Sequence, residues 1–516
     1  MSDKYLAGID IGTTGAKVAI FDLKGNIISS AYKEYTCSYP RPNWVEQDPL
    51  VLIESTMDAC RKAVAKSKIN PENISSIGLS SQRSCTIFID KQGNILRPMI
   101  SWQDNRANTE VKEIESKISN HDYYNLTGLP NNTTWLLPKI LWVRKNEPKI
   151  WGKVNKVVQL QDFALKAFGA EEYYNDIPDV AMSGMMDTDK LTWSSKLLSL
   201  FDIDKGLLPV PISSGKKIGV ISEKVSQKTG FAKGTILCVG AGDQNSAAVG
   251  AGIVYNGYMS VSIGTAANVI AYLDKPLRDP KEKNMITSHA IYGKWQLEGY
   301  QAGAASIYKW FRDEIAIIEK AYASIYKKDA YEVLNELIKK VPPGSKGLIL
   351  MPYFASATAP RWNPDARGLI AGLTFAHDRG CIARSFIEGI TLGVKDMIVS
   401  MLGSGISINT IRILGGPTKS ELWNQMQADI YNRKVETLKV TDAAILGAAI
   451  LAGVGIGTFN SIEEGVLEMV KFDKEYEPIK ENTEIYNELY SIYCKMYEAL
   501  EERKIFSLLA KMQERF

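Results

Sequence analysis

The chain has 516 residues, 45% of them hydrophobic and 23% charged, with 61 basic against 58 acidic side chains for a net charge of +3. That length exceeds what one hydrophobic core usually supports, so two domains of similar size with a cleft between them are expected. The balanced charge, with no basic run, excludes a nucleic-acid or membrane-surface footprint.

At the start, Met1-Ser2-Asp3-Lys4-Tyr5 lacks the basic and apolar regions of a secretory leader, so a cytoplasmic location is expected. Tyr5 to Ile11 reads as a strand, Gly12-Thr13-Thr14-Gly15 as a turn, Ala16 to Asp22 as the returning strand, and Lys24-Gly25-Asn26 as a tight turn into a third strand from Ile27. A turn of small residues presents N–H groups and hydroxyls to an anion such as a nucleotide phosphate. Asp10, at the end of the first strand, is placed to hold Mg²⁺ or its waters, and Lys17 on the return to neutralise a transferred phosphoryl group. The plain alternatives are a turn-forming aspartate and a solvated strand lysine.

Asp48 and Pro49 predict a helix start, and Ile53, Met57, Cys60 and Val64 recur at helical spacing after it. Strands follow at Ile77 to Ser80 and Cys85 to Ile89, then a segment ending in Ser101-Trp102-Gln103-Asp104. The apolar run Ile236 to Val239 leads into Gly240-Ala241-Gly242-Asp243-Gln244, which sets Asp243 at a strand-to-helix switch. There a carboxylate serves as general base toward a substrate hydroxyl, with Gln244 orienting the same substrate; a helix N-cap is the competing reading.

From Gly257 the opening theme restarts: a strand, a second turn at Ile263-Gly264-Thr265-Ala266, and a return at Asn268 to Tyr272, as in a diverged internal duplication. Pro276 to Asn284 reads as a loop and Asp313 to Lys340 as lysine-rich surface helices. The strand Ile411 to Leu414 runs into Gly415-Gly416, where a base ring can lie against the backbone. Helices are expected at Ala383 to Met401, Glu421 to Tyr431 and Ala443 to Ala452. The tail from Thr483 to Gln513 is amphipathic, with Ile485, Leu489, Ile492, Met496 and Leu500 on the packing face. The apolar stretch Ala443 to Val454 falls short of the ~20 residues a spanning helix needs. Six cysteines without a CxxC pair and three scattered histidines point to reduced thiols rather than a zinc site.

Taken in order, Asp10-Ile11-Gly12-Thr13-Thr14, Trp44-Val45-Glu46-Gln47-Asp48-Pro49, Ser81-Gln82-Arg83, Trp102-Gln103-Asp104, Gly242-Asp243-Gln244, Gly264-Thr265, Leu297-Glu298-Gly299, Ala359-Pro360-Arg361-Trp362 and Gly415-Gly416 resemble the FGGY family of carbohydrate kinases. The resemblance implies an α/β protein of two ribonuclease-H-like domains, of the actin/hexokinase/Hsp70 superfold, with a central cleft; the expected division is 1–255, for sugar and phosphate, and 256–516, for ATP. It implies Asp243 as catalytic base, Asp10 at the Mg²⁺ site, Thr13, Thr14, Gly264 and Thr265 on the phosphates, and Gly415 and Gly416 near the adenosine.

Arg83, Ser84, Trp102, Asp243 and Gln244 form the expected substrate wall, and Lys17 joins the ATP residues. Gln82-Arg83 and Trp102 are similar to glycerol kinases, although Ser84 stands where those carry a glutamate. Lys17, Pro138-Lys139-Ile140-Leu141-Trp142 and Lys419-Ser420-Glu421-Leu422-Trp423 are similar to xylulokinases, which carry a methionine-histidine pair in place of Arg83-Ser84. The expected activity is ATP-dependent phosphorylation of a primary hydroxyl on a small ketose or polyol, a pentulose such as D-xylulose first and glycerol second. A non-catalytic sugar sensor or ATPase on the same superfold is the rival of another class. The expected partner is the small substrate, with no nucleic acid and no membrane; a homodimer is left open.

Overall fold

β1 (Tyr5–Ile11), β2 (Gly15–Asp22) and β3 (Ile27–Glu34) form an antiparallel meander rich in small and branched apolar residues, with Leu6, Ile9, Val18 and Phe21 fully buried. The computed structural model describes residues 4–513 and 515; Met1, Ser2 and Asp3 of the start considered above lie outside them. α1 (Pro49–Ser67) begins as its sequence predicts, the Asp48 side chain accepting from the Leu50 N–H and Pro49 occupying the first turn, and it buries Ile53, Met57, Cys60 and Val64. β4 (Ile74–Ser81) pairs parallel with β1; β5 (Lys217–Val220) and β6 (Ile236–Gly242) complete a six-stranded sheet ordered β5-β6-β4-β1-β2-β3. α2 (Asp243–Gly250) leaves directly from the end of β6.

The second half repeats the plan. β7 (Gly257–Ile263), β8 (Ala267–Leu273), β9 (Met285–Ser288), β10 (Trp295–Gln301), β11 (Ile408–Leu414), β12 (Lys434–Leu438) and β13 (Phe472–Tyr476) form a sheet ordered β9-β10-β8-β7-β11-β12-β13. With β5, β9 and β13 set aside, the two sheets read β3-β2-β1-β4-β6 and β10-β8-β7-β11-β12. In each, an antiparallel meander is extended by two parallel strands, so the duplication suspected from the two glycine-threonine turns is a duplication of topology.

α3 (Arg379–Gly403) and α4 (Glu421–Tyr431) pack within the second half, whereas α5 (Ala443–Gly455) reaches across to the first sheet. Three glycines permit that approach. A Cβ on Gly8 would lie 2.0 Å from the Ile445 carbonyl oxygen, on Gly78 1.9 Å from that of Ala448, and on Gly447 1.8 Å from that of Ser246 in α2. The core formed there draws Leu6, Phe21 and Val249 from one half and Leu438, Leu446 and Ile450 from the other.

The tail differs from its sequence reading. It forms two helices, α6 (Lys480–Glu502) and α7 (Ile505–Gln513), broken at Lys504, where φ is 57°. Its buried stripe is Tyr486, Leu489, Tyr493 and Tyr497, while Ile485 and Ile492 are 42% and 49% exposed. Tyrosines displace isoleucines because the core beneath them is polar: the Tyr486 hydroxyl donates to Glu388 at 2.8 Å and accepts from Arg384 at 2.9 Å, and the Tyr493 and Tyr353 hydroxyls pair at 2.6 Å. Among the described residues no helix is long and apolar enough to cross a membrane.

Candidate functional site

The end of β6 positions the central side chain. Because α2 starts at Asp243, the carboxylate stands at the first turn of a helix, where unpaired N–H groups stabilise negative charge, and it accepts from the Gln244 N–H at 2.7 Å. Its side chain is 28% exposed and faces the Nε of Arg83 at 3.2 Å. Burial raises the Asp243 pKa and the Arg83 guanidinium opposes that rise, which leaves a base of greater proton affinity than a surface aspartate.

Arg83 follows β4 and is itself buried. Its Nη1 donates to Glu298 Oε2 at 2.9 Å and to Asn245 at 3.2 Å, and its Nη2 pairs with Glu298 Oε1. Burial works against its charge, but Glu298 and then Asp243 outweigh that and hold its pKa above the ordinary value. Glu298 lies on β10, so this ion pair joins the two halves of the chain. Glu298 stands in the Leu297-Glu298-Gly299 motif, and its role is set by Arg83, which no local pattern in the sequence connects to it.

Arg83, Ser84, Trp102, Asp243 and Gln244 line one cavity of about 110 Å³, together with Thr134, Trp135, Tyr300 and Glu298. The five substrate-side residues read from the sequence are therefore brought together. Ser84 stands at φ 58°, with its hydroxyl donating to the Met182 carbonyl and its N–H to Gln159, so it shapes the wall with its hydrogen engaged elsewhere.

The first glycine turn adjoins this cavity. Thr13 Oγ1 accepts from Trp102 Nε1 at 3.0 Å and donates to Gln82 at 2.9 Å, and Gln47 donates to the Thr13 carbonyl at 2.9 Å. Thr14 is exposed, its carbonyl accepting from the Tyr35 N–H. Asp10 is half-buried at the end of β1 and accepts from the Ser80 hydroxyl at 3.0 Å. Burial and the neighbouring Asp243 push its pKa up to about 7, against Ser80 and Lys17. Lys17 is bound to Asp442, the residue preceding α5, at 2.7 Å.

Hard divalent cations such as Mg²⁺ take one or two carboxylates beside phosphate oxygens and water rather than a full protein cage. Asp10, with Asp243 beside it, fits that donor set, since a cation there would relieve the repulsion that raises the Asp10 pKa. Among the described residues no three His, Cys, Asp or Glu side chains gather into a metal cage.

On the other side of the second turn lies a cavity of about 410 Å³ lined by Ala305, Tyr308, Gly416, Pro417 and Trp423 among others. Gly264 and Thr265 are tied to its wall, their carbonyls accepting from the Ala305 and Ala304 N–H groups at 2.9 Å. Ala266 lines the smaller cavity, so the turn stands between the two spaces. Gly415 is required by geometry: its φ is 93°, and a Cβ would sit 2.2 Å from the Ile263 carbonyl oxygen. Gly416 has open space at the same test and lines the cavity. A larger space of about 720 Å³, between residues 318–340 and 419–422, continues outward from this one and lies away from Asp243.

Models of the FGGY family of carbohydrate kinases match residues 5–250 with the N-terminal domain and 259–456 with the C-terminal domain. The chain is 27% identical to a xylulose kinase of Staphylococcus epidermidis over 498 residues, 96% of this chain and 97% of the other. It is 30% identical to a glycerol kinase of Thermococcus onnurineus over 484 residues, 92% and 94% of the two chains. The crystal structure of a gluconate kinase from Lactobacillus acidophilus superposes with a TM-score of 0.88 at 25% identity, covering 97% of this chain and 98% of that one.

Proposed function

Since the chain belongs to the FGGY family of carbohydrate kinases, we propose that it transfers the γ-phosphoryl group of ATP to a primary hydroxyl of a small ketose or polyol, a pentulose such as D-xylulose before glycerol. The observation that carries this reading is the placement of Asp243. Its carboxylate opens into the smaller cavity, between the two glycine-threonine turns, with Asp10 close enough to feel its charge.

In this reading the acceptor occupies the cavity of Arg83, Ser84, Trp102, Asp243 and Gln244. Asp243 takes the hydroxyl proton as that oxygen attacks phosphorus, and the raised proton affinity of a buried carboxylate suits it to the task. Arg83 holds the base in place through its Nε. The nucleoside lies in the cavity of about 410 Å³ by Gly415 and Gly416, and the turns carrying Thr13, Thr14, Gly264 and Thr265 face the phosphates. Phosphoryl transfer depends chiefly on such positioning and on neutralising charge. Mg²⁺ held at Asp10 would supply part of that neutralisation, and Lys17 another part on release from Asp442. Contacts across the halves, Arg83 to Glu298 and Lys17 to Asp442, fit a cleft that closes over its substrates and excludes water from the reacting group.

The test is ADP release with MgATP across a panel of pentuloses, polyols and glycerol. Acceptor-dependent release, greatest with a pentulose, supports the reading. ATP hydrolysis indifferent to every acceptor overturns it in favour of an ATPase on the same fold.

A further inference from the structure

The smaller cavity carries an unequal charge balance, set by Arg83, Asp243 and Glu298. Among the described residues one cationic side chain lines it, Arg83, and all three of its nitrogens are engaged by protein: Nε by Asp243, Nη1 by Glu298 and Asn245, Nη2 by Glu298. The next cation, Lys139, is fully buried behind the wall, where its Nζ donates to the carbonyls of Ser84 at 2.8 Å and Thr134 at 2.7 Å. Two carboxylates, Asp243 and Glu298, face the same space, so the lining carries one more negative charge than positive.

An acceptor with its own carboxylate would be desolvated there beside like charge, with no free guanidinium or ammonium to receive it. Hydroxyls suit this wall, since they donate to carboxylates and accept from what donors remain. Glu298 produces the imbalance. Without it, Arg83 would keep Asp243 on its Nε edge and turn the rest of a planar, bidentate fork toward the cavity, the geometry that grips carboxylates elsewhere.

We infer that Glu298 is a specificity-determining residue: by occupying Arg83 from the opposite half of the chain, it makes this a site for uncharged polyhydroxy acceptors and excludes sugar acids. The inference rests on the reading of this cavity as the acceptor site.

Trp102 and Trp135 line the cavity, so tryptophan fluorescence reports occupancy without turnover. The experiment titrates the wild-type protein with matched pairs, xylitol against D-xylonate and D-glucitol against D-gluconate, with D-xylulose and glycerol alongside, and measures ATP-dependent phosphorylation of each. The expected result is that wild type binds the acids at least 100-fold more weakly than their neutral counterparts. Glu298→Gln should narrow that ratio at least tenfold, by weaker binding of the neutral member and stronger binding of the acid.

An acid that binds wild type as well as its neutral partner overturns the inference, and this comparison needs no variant to fold. So does an unchanged ratio in a Glu298→Gln protein that keeps its melting temperature, or a protein that binds none of the neutral compounds. Neutral compounds that bind and are never phosphorylated uphold the charge preference and sink the kinase reading. Phosphorylation of an acid above every neutral compound does the reverse.

Discussion

Asp243→Asn separates catalysis from structure at this site. The amide keeps the shape of the side chain and can still accept from the Gln244 N–H and from Arg83 Nε, contacts of 2.7 and 3.2 Å in the native protein. What is lost is the capacity to take a proton, which for a positioned general base is worth roughly 10²–10⁴ in rate, or about 2.7–5.5 kcal/mol. The structural cost is much smaller. Arg83 retains both oxygens of Glu298, so its guanidinium is not stranded, and the variant removes a carboxylate that burial and the neighbouring Glu298 already disfavour. The difference between a charged and a neutral hydrogen-bond partner is about 1 kcal/mol, which in a chain of this size moves Tm by no more than about 4 °C. Turnover should therefore fall at least 100-fold at saturating substrates. Nucleotide affinity by calorimetry should stay within about threefold, because the cavity of about 410 Å³ is untouched. A variant with kcat within tenfold of wild type would refute the assignment of the base, and loss of nucleotide binding with an intact fold would place Asp243 on the wrong substrate.

Asp10 gives a pH-dependent comparison: its folded pKa, about 7, exceeds the ordinary aspartate value of 3.8, so the folded state keeps a proton that the unfolded chain has released. Stability from this group is present in full at acid pH and is lost as pH rises toward 7. Asp10→Asn should accordingly match wild type near pH 4 and exceed it by about 3–4 kcal/mol at pH 8 in denaturant melts without nucleotide; a pH-independent difference would contradict this. The same variant should need at least tenfold more Mg²⁺ for half-maximal turnover. Trp102→Phe deletes the 3.0 Å bond to Thr13 while keeping an aromatic wall, and should raise KM for both the acceptor and ATP several-fold; a change in acceptor KM alone would show that the bond does not couple the turn to the cavity. Gly78→Ala would drive a Cβ to 1.9 Å from the Ala448 oxygen and should cost about 3 kcal/mol or more by pushing α5 from the first sheet, whereas Gly403→Ala, with open space around it, should be neutral or slightly stabilising in thermal melts.

What the sequence disclosed was what is local. The two glycine-threonine turns, the Asp48-Pro49 helix start and the strand-to-helix step at Asp243 each depend on a few consecutive residues, and each is found where that chemistry places it. Repetition of a short pattern half a chain apart made the duplicated sheet legible as well. What escaped was set by partners far away in sequence. Glu298 acquires its role from Arg83, 215 residues earlier, and no spacing rule connects them. The tail shows the same limit within a single helix: isoleucines and tyrosines both recur at helical spacing there, and a reading by hydrophobicity alone prefers the isoleucines. The tyrosines turn inward because Glu388 and Arg384 of α3 are buried beneath them and need hydroxyl partners. In both cases a buried charge, rather than apolar periodicity, decides which side chain faces in. The proposed acceptor cavity follows the same rule: if the reading holds, the outcome for a substrate hangs on whether the Arg83 charge is already satisfied when the substrate arrives.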